Sequence, residues 1–444
     1  MLRPLGLLGL LALAVGAAAQ ESGVPDAASV SGIEDNGVPG GSRWRLFMDP
    51  LSYLPAQSLN GLGLQTTNGI SARADPRLVR RPEEDLPTAF RWGFLPKISF
   101  KTGAIPQVGA NIFFGKNYTS VVGGFLLSSG VNYSDSLNVS WQKPVAGKGL
   151  NITLEALYQS DDKRRFFGIG AHPQTDPRSH FQPGNTAPYG RYQQKVTRVG
   201  TVIGLRSPWW LDLFLLGEYQ QQLPISFASA DHPFDEVFVT SALPGGVDGS
   251  HQAYSEAMFN VDTRRYRGML DSGWGVSGYI GPSLGVGSDQ SQSLRMGGMA
   301  VGYIPVVGRN RLLVPRVSLD TITNLRDEVA VPFMSYPRHL PFLNVNSGLT
   351  ILRTDNVVIN SSLQYQWPVT NNLALSLIAQ SIIVGRSLRT VTLSDSPWGV
   401  GFNLEFHSAH QGLGWVFATW GSEGLRIWIE FAVLNKTNDR CRWF

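Results

Sequence analysis

Between Trp398 and Leu434 the side chains change character at every second residue, and few folds accept that period. Trp398, Val400, Phe402, Leu404 and Phe406 alternate with Gly399, Gly401, Asn403, Glu405 and His407, which gives an extended chain one apolar and one polar face. A turn from His407 to Gly412 leads into a second extended run ending at Trp420, and Ser422-Glu423-Gly424 reverses the chain again. Leu425, Ile427, Ile429, Phe431 and Val433 then form an apolar row with Arg426, Trp428, Glu430 and Ala432 between them. A helix would scatter Arg426 and Glu430 among the apolar residues. The stretch reads as consecutive antiparallel strands with two unlike faces.

The same alternation runs back to Lys97. Ile152, Leu154, Ala156 and Tyr158 form one such row, Leu211, Leu213, Leu215 and Tyr219 another, and Val357, Ile359, Leu363, Tyr365 and Trp367 a third. Long gaps (Asp161 to Gly190, Gln222 to Ser250, Thr321 to Asp355) alternate with short ones (Ser207-Pro208, Val307-Gly308, Thr370-Asn371). That parity is the mark of an outer-membrane barrel with short turns on one side and long loops on the other. Only a helix or a closed barrel satisfies every backbone polar group in hydrocarbon. The expected fold is therefore all-β: a transmembrane antiparallel β-barrel of about sixteen strands. Charged residues are 16% of the 444, below the roughly 25% of a water-soluble domain, as expected where one face of every strand meets lipid. Trp209, Tyr219, Trp367, Trp398 and Trp420 sit near row ends, where interfacial girdles belong.

Four segments follow. Residues 1–19 read as a signal peptide: Arg3, the apolar run Leu5 to Ala19, and Ala17 and Ala19 placed for cleavage before Gln20. Residues 20–90 are irregular, broken by Gly-Val-Pro twice and by Pro39-Gly40-Gly41, with an apolar patch from Trp44 to Leu54. Residues 91–435 are the barrel, and 436–444 a polar tail ending in Phe444. Cys441 is the only cysteine, so no internal disulfide forms. Lysines and arginines are dispersed and the net charge is only +4, which argues against nucleic acid and leaves outer-membrane lipid as the expected partner.

Arg165-Phe166-Phe167-Gly168-Ile169-Gly170 resembles the Phe-Phe-Gly-Ile-Gly motif of the bacterial surface antigen family, the barrel of BamA-like and TamA-like assembly proteins. Gln364-Tyr365-Gln366-Trp367-Pro368 is similar to that family's strand ending in Glu-Tyr-Arg-hydrophobic-Pro, and Trp398 to Phe402 with Ser422 to Gly424 resembles its last strand segments. The resemblance spans Lys97 to Leu434, without the periplasmic POTRA domains of the assembly members. It implies that Thr321 to Asp355 folds into the lumen. There the family places an Arg-Gly-aromatic tip against acidic residues. Arg353 and Arg338 are the candidates for that arginine, and neither is followed by Gly. Gln364 and Gln380 stand near the family's acidic positions, so Glu405 and Glu430, on the polar faces of their strands with Arg426, are the carboxylates left to pair.

Signals for chemistry are few. His407 and His410 have a metal-like spacing, but they fall at a turn with no cysteine nearby and no helix to align the rings. The asparagines of six Asn-x-Ser/Thr triplets suit lumen faces. No enzyme activity, cofactor or metal is expected. The resemblance implies outer-membrane biogenesis or protein/lipid translocation, with an unfolded barrel or a secreted protein as client. The alternative is a passive pore or a surface-exposed structural barrel, and an outer-membrane hydrolase is a third class.

Overall fold

A computed structural model describes residues 91–101, 107–116, 119–128, 133–145, 148–206, 211–227, 230–262, 265–267, 269–307, 311–326, 329–337, 354–370, 373–391, 396–407, 412–422 and 424–431. Seventeen strands occur among them. They are β1 (Arg91–Lys101), β2 (Gln107–Lys116), β3 (Thr119–Ser128), β4 (Tyr133–Val145), β5 (Lys148–Phe166), β6 (Gly190–Arg206), β7 (Leu211–Ile225) and β8 (Ser250–Asp262). After the three-residue β9 (Arg265–Arg267) come β10 (Met269–Gly285), β11 (Gln292–Val307), β12 (Arg311–Asn324) and β13 (Val357–Thr370). The last four are β14 (Leu373–Gly385), β15 (Trp398–His407), β16 (Gly412–Gly421) and β17 (Gly424–Phe431).

All pairings between strands are antiparallel and follow chain order, with β8 pairing directly to β10 and β9 folded onto the start of β10. The first strand pairs with β2 over nine residue pairs. On its other side, among the described residues, it meets β17 over four, from Ile98 with Phe431 to Lys101 with Trp428.

The two faces obey opposite solvents. Along β7, Leu213, Leu215 and Tyr219 are exposed (47, 60 and 40%), while Phe214, Leu216, Glu218 and Gln220 are buried at 3–7%. Leu154, Val199, Ile203, Phe259, Val276, Ile280, Leu377 and Phe402 lie on the exposed face of their strands, and Gln252, Glu256, Ser318, Asn360, Gln366 and Asn403 on the buried one. A water-soluble protein buries its aliphatic rows; this wall turns them outward and its amides inward. That is the arrangement of a barrel whose outer face meets hydrocarbon and whose inner face lines a polar lumen. Trp398 and Trp420 stack edge to face, ring centres 5.5 Å apart, at the long-loop end. Trp367 lies under the guanidinium of Arg311, 5.2 Å away, at the other. These are girdle positions; Trp209 lies outside the described residues.

Some strands run further than the alternation shows. Pairing continues to Arg164 with Tyr192 and Phe166 with Gly190 across an irregularity after Asp161, and β7 and β12 extend to Ile225 and Asn324. Asp161-Asp162-Lys163-Arg164-Arg165 is charged throughout, so no period of two is visible there. The glycines of β10 and β11 make room for aromatic neighbours: a Cβ on Gly281 would stand 2.6 Å from the Tyr254 hydroxyl, and one on Gly302 2.5 Å from the Trp274 ring.

Candidate functional site

The three long connections, β5–β6, β7–β8 and β12–β13, converge at one end of the barrel. Phe166 ends β5, and Phe234, Val237 and Phe238 belong to a one-turn helix, α1 (Phe234–Val237), and the residue after it. Phe333 and Met334 come from the β12–β13 connection. Together with Ile169, Tyr192 and Leu243 they form one buried apolar cluster, in which Phe333 and Phe238 are fully enclosed. Ring centres of Phe166 lie 4.8 Å from Phe333 and 4.9 Å from Phe238, and Phe234 stacks on Phe333 at 5.5 Å. Aromatic pairs at these spacings add to the stabilisation from burial.

Backbone hydrogen bonds knit the same loops. Val239 N–H donates to His180 O (2.8 Å), Phe333 N–H to Pro244 O (2.9 Å) and Gly170 N–H to Thr354 O (2.9 Å). The glycine motif has a local cause here. Gly168 and Gly170 take φ of +88° and +93°, which glycine adopts without penalty. A Cβ on Gly168 would meet Pro173 and Ser179 at 2.7 Å, and one on Gly170 the Asp176 carboxylate at 2.9 Å. The Ser179 hydroxyl accepts the Ile169 N–H at 2.8 Å.

Beside Gly170 sits an ionic clasp. Arg178 donates to Asp176 (Nη2 to Oδ2, 2.6 Å) and to Asp355 (Nη1 to Oδ1, 2.9 Å). Asp355 is 3% exposed and Arg178 26%, so a loop between β5 and β6 is tied to the base of β13. Burial alone would make the Arg178 guanidinium easier to deprotonate, but its two carboxylate partners outweigh that and push it further up. Burial likewise raises Asp176, yet the hydrogen bonds and charge of Arg178 bring it below the ordinary carboxylate range. A second tie joins the β5–β6 and β7–β8 connections: Arg191 to Asp231 at 2.7 Å and Tyr189 Oη to Asp231 at 2.9 Å. Arg165 lies over the Tyr189 ring at 4.6 Å. The hydrogen bond from Arg191 holds Asp231 below its ordinary range.

The described residues 329–337 of the β12–β13 connection bond to the buried face of the sheet. Ser335 Oγ donates to Gln252 (3.3 Å) and Gln194 Nε2 to Met334 Sδ (3.8 Å), and Gln194 and Gln252 are lumen-facing residues of β6 and β8. Thr354 Oγ1 donates to Pro337 O at 2.7 Å, so the two stems of that connection are pinned to each other over the lumen mouth. Arg338 and Arg353 both lie outside the described residues. So do the side chains of Glu405, Arg426 and Glu430; in the backbone register Glu405 pairs with Trp415, Arg426 with Thr419 and Glu430 with Trp415 across β16.

Below the cap the lumen wall carries its own polar ladder. Gln364 accepts from Arg316 Nη1 at 2.7 Å and donates to Ser376 at 2.7 Å, and Arg316 also reaches the Tyr303 hydroxyl at 3.2 Å. Thus Gln364 meets a guanidinium from the next strand. Gln380 is buried with its Nε2 unpartnered among the described residues. Arg295 pairs with Asp320 (Nε to Oδ1, 2.8 Å), and Arg198 stands 3.7 Å from Glu218. Among the described residues no group of three metal-ligating side chains occurs.

The charges that bind the cap, Asp176, Arg178, Asp355 and Asp231, escaped the sequence reading. The one available signal was the glycine motif, whose tight turns leave room for a neighbour. Of the motif residues, Phe166 enters the cluster, whereas Phe167 packs on Tyr189 at 5.3 Å.

No protein-family model matches the chain, and no curated protein does. Among solved structures it is similar to BamA from Haemophilus ducreyi lacking POTRA domains 1–3, with a TM-score of 0.49 at 12% identity over 77% of this chain and 70% of that one. It is similar also to CdiB from Acinetobacter baumannii (0.43, 12%, 79% and 61%) and from Escherichia coli (0.45, 10%, 78% and 64%). The chain spans less than two thirds of either CdiB.

Proposed function

We propose that the protein is an outer-membrane barrel of the biogenesis or translocation type, exported by a cleaved signal peptide, that handles a client at the junction of its first and last strands. The observation that carries this reading is the meeting of β1 with β17, which among the described residues covers four pairs, against nine between β1 and β2. Each backbone pair lost in hydrocarbon costs several kcal/mol unless something replaces it, so the junction of the first and last strands is where a strand or lipid of another molecule is most readily accommodated. The cap supports the same reading, because loops knit over the mouth suit a barrel that does not serve as a permanently open hole. No catalytic step is part of the proposal.

Locking the junction tests it. Ser99 pairs with Glu430, so Ser99→Cys with Glu430→Cys in a Cys441→Ser background places two thiols across it. Oxidation should stop client insertion or export in depleted cells, and reductant should restore it. If the locked barrel supports normal growth and barrel assembly, the junction does not part, and a passive pore or a structural barrel becomes the better account.

A further inference from the structure

Two guanidiniums of the lumen face have a carboxylate beside them: Arg295 is paired with Asp320, and Arg198 stands by Glu218. A third, Arg316, has none among the described residues. It is 6% exposed, and its hydrogen-bond partners, Gln364 Oε1 at 2.7 Å and the Tyr303 hydroxyl at 3.2 Å, are both neutral. A guanidinium carries its charge wherever it sits, and a buried charge without a counter-charge is costly. Gln364 and Tyr303 fix its position and leave that charge uncompensated.

The positions around it in the register offer no carboxylate. On its own strand Asp320 lies four residues away and is taken by Arg295. Glu405 is three strands over from Arg316 and six residues further along β15 than Gly399, which puts its backbone about 24 Å away at roughly 4.8 Å per strand and 3.3 Å per residue. Residues 338–353 contain no Asp or Glu. What lies beside Arg316 is a row of hydrogen-bond donors. Ser362 is its partner on β13, and Gln380 is the partner of Ser362 on β14, so the three side chains stand on one face with neighbouring Cβ atoms about 5 Å apart. Ser362 and Gln380 are 7 and 8% exposed, and among the described residues Ser362 Oγ and Gln380 Nε2 make no hydrogen bond. Beyond Gln380 the row continues as Gly399 and Gly421, which put no side chain over the wall. Buried polar atoms are nearly always satisfied; two orphans in line with an uncompensated cation call for one shared partner.

We propose that Arg316, Ser362 and Gln380 form a binding site for a phosphoryl oxyanion on the inner wall of this barrel, whether free phosphate or the phosphate of a lipid headgroup. One positive charge and donors from three adjacent strands match a group with negative charge and at least three acceptor oxygens; a carboxylate has two. Gln364 and Tyr303 are positioning residues that hold the guanidinium in place. The site stands whether or not the β1–β17 junction parts.

The test titrates the full mature chain, folded in uncharged detergent micelles and checked by its heat-shifted band, with inorganic phosphate and separately with dioctanoyl phosphatidic acid. Calorimetry should show saturable binding of one anion per chain in at least one arm, and the arm that binds names the source. Arg316→Gln should weaken that binding by at least about tenfold, the worth of a charge-assisted hydrogen bond. Ser362→Asp keeps the guanidinium and places a carboxylate directly opposite it; binding should be lost while the temperature of the heat shift rises. This variant carries the test where Arg316→Gln fails to fold. Ser283→Ala removes another buried hydroxyl, on β10, and should leave binding unchanged. Absence of saturable binding in both arms overturns the proposal, and so does binding that Ser362→Asp leaves intact.

Discussion

The wall and the cap of this protein are built from one chain by opposite rules. In the wall, Leu215 is 60% exposed and Gln220 6%; in the cap, Phe333 and Phe238 are fully buried and Asp231 stands in the open. The wall is held by strand-to-strand hydrogen bonds that lipid cannot replace. The cap is held by an aromatic cluster and ion pairs, as a small water-soluble domain is. The difference teaches where each kind of substitution hurts: apolar-to-charged changes are most costly on the wall's exposed rows, and large-to-small changes inside the cap.

The largest effect should come from the cap's centre. Phe333→Ala removes a fully enclosed ring and is expected to cost the cap about 3–5 kcal/mol, read as new protease cleavage in the long loops while the heat-shifted barrel band persists. Loss of that band would mean that cap and wall are one cooperative unit. On the wall, Leu215→Arg should cost about 2–4 kcal/mol if it lies near the midplane, measured by denaturant unfolding in liposomes. Gln220→Arg, on the lumen face of the same strand, should cost much less; equal costs would reverse the assigned faces, because a one-residue slip exchanges them. Asp355→Asn leaves Arg178 with Asp176 alone. Since Arg178 is partly solvated, the loss is about 1–2 kcal/mol, visible as faster hydrogen exchange near Gly170 and Thr354.

Acid should act more weakly and on the cap alone. Asp176 and Asp231 are held below the ordinary carboxylate range. A depressed carboxylate contributes stability that is complete above its unfolded value, roughly pH 4, and is lost as pH falls through the folded one. Protease resistance of the cap should therefore be constant from neutral pH to about pH 5 and decline below pH 4. A decline centred near pH 6 would implicate histidines instead.

The wall was legible in the sequence because lipid on one side and a polar lumen on the other impose a period of two on every strand. Leu213, Leu215 and Tyr219 against Glu218 and Gln220 is that signal read directly. The cap was not legible, because nothing periodic links its parts. Arg178 and Asp355 are 177 residues apart, and Phe166 meets Phe333 across two connections distant in the chain. The glycines at 168 and 170 were visible as a motif, but their cause, left-handed backbone beneath Asp176 and Ser179, is three-dimensional. That the β12–β13 connection enters the lumen is what the family resemblance implies, and residues 338–353, which would carry it, lie outside the described residues. The guanidinium tied to its base is Arg178, from another loop, and Gln364 is engaged by Arg316; both partners are set by neighbouring strands and loops that alternation leaves unspecified.

The central claim is that the wall is inside out, and one scan along β7 tests it most directly. Single cysteines at residues 213 to 220, in a Cys441→Ser background, carry an environment-sensitive fluorophore in liposomes containing brominated lipid. The account predicts strong quenching at Leu213, Leu215, Gly217 and Tyr219 and weak quenching at Phe214, Leu216, Glu218 and Gln220, in strict alternation. Uniform quenching, or none at any position, would contradict it.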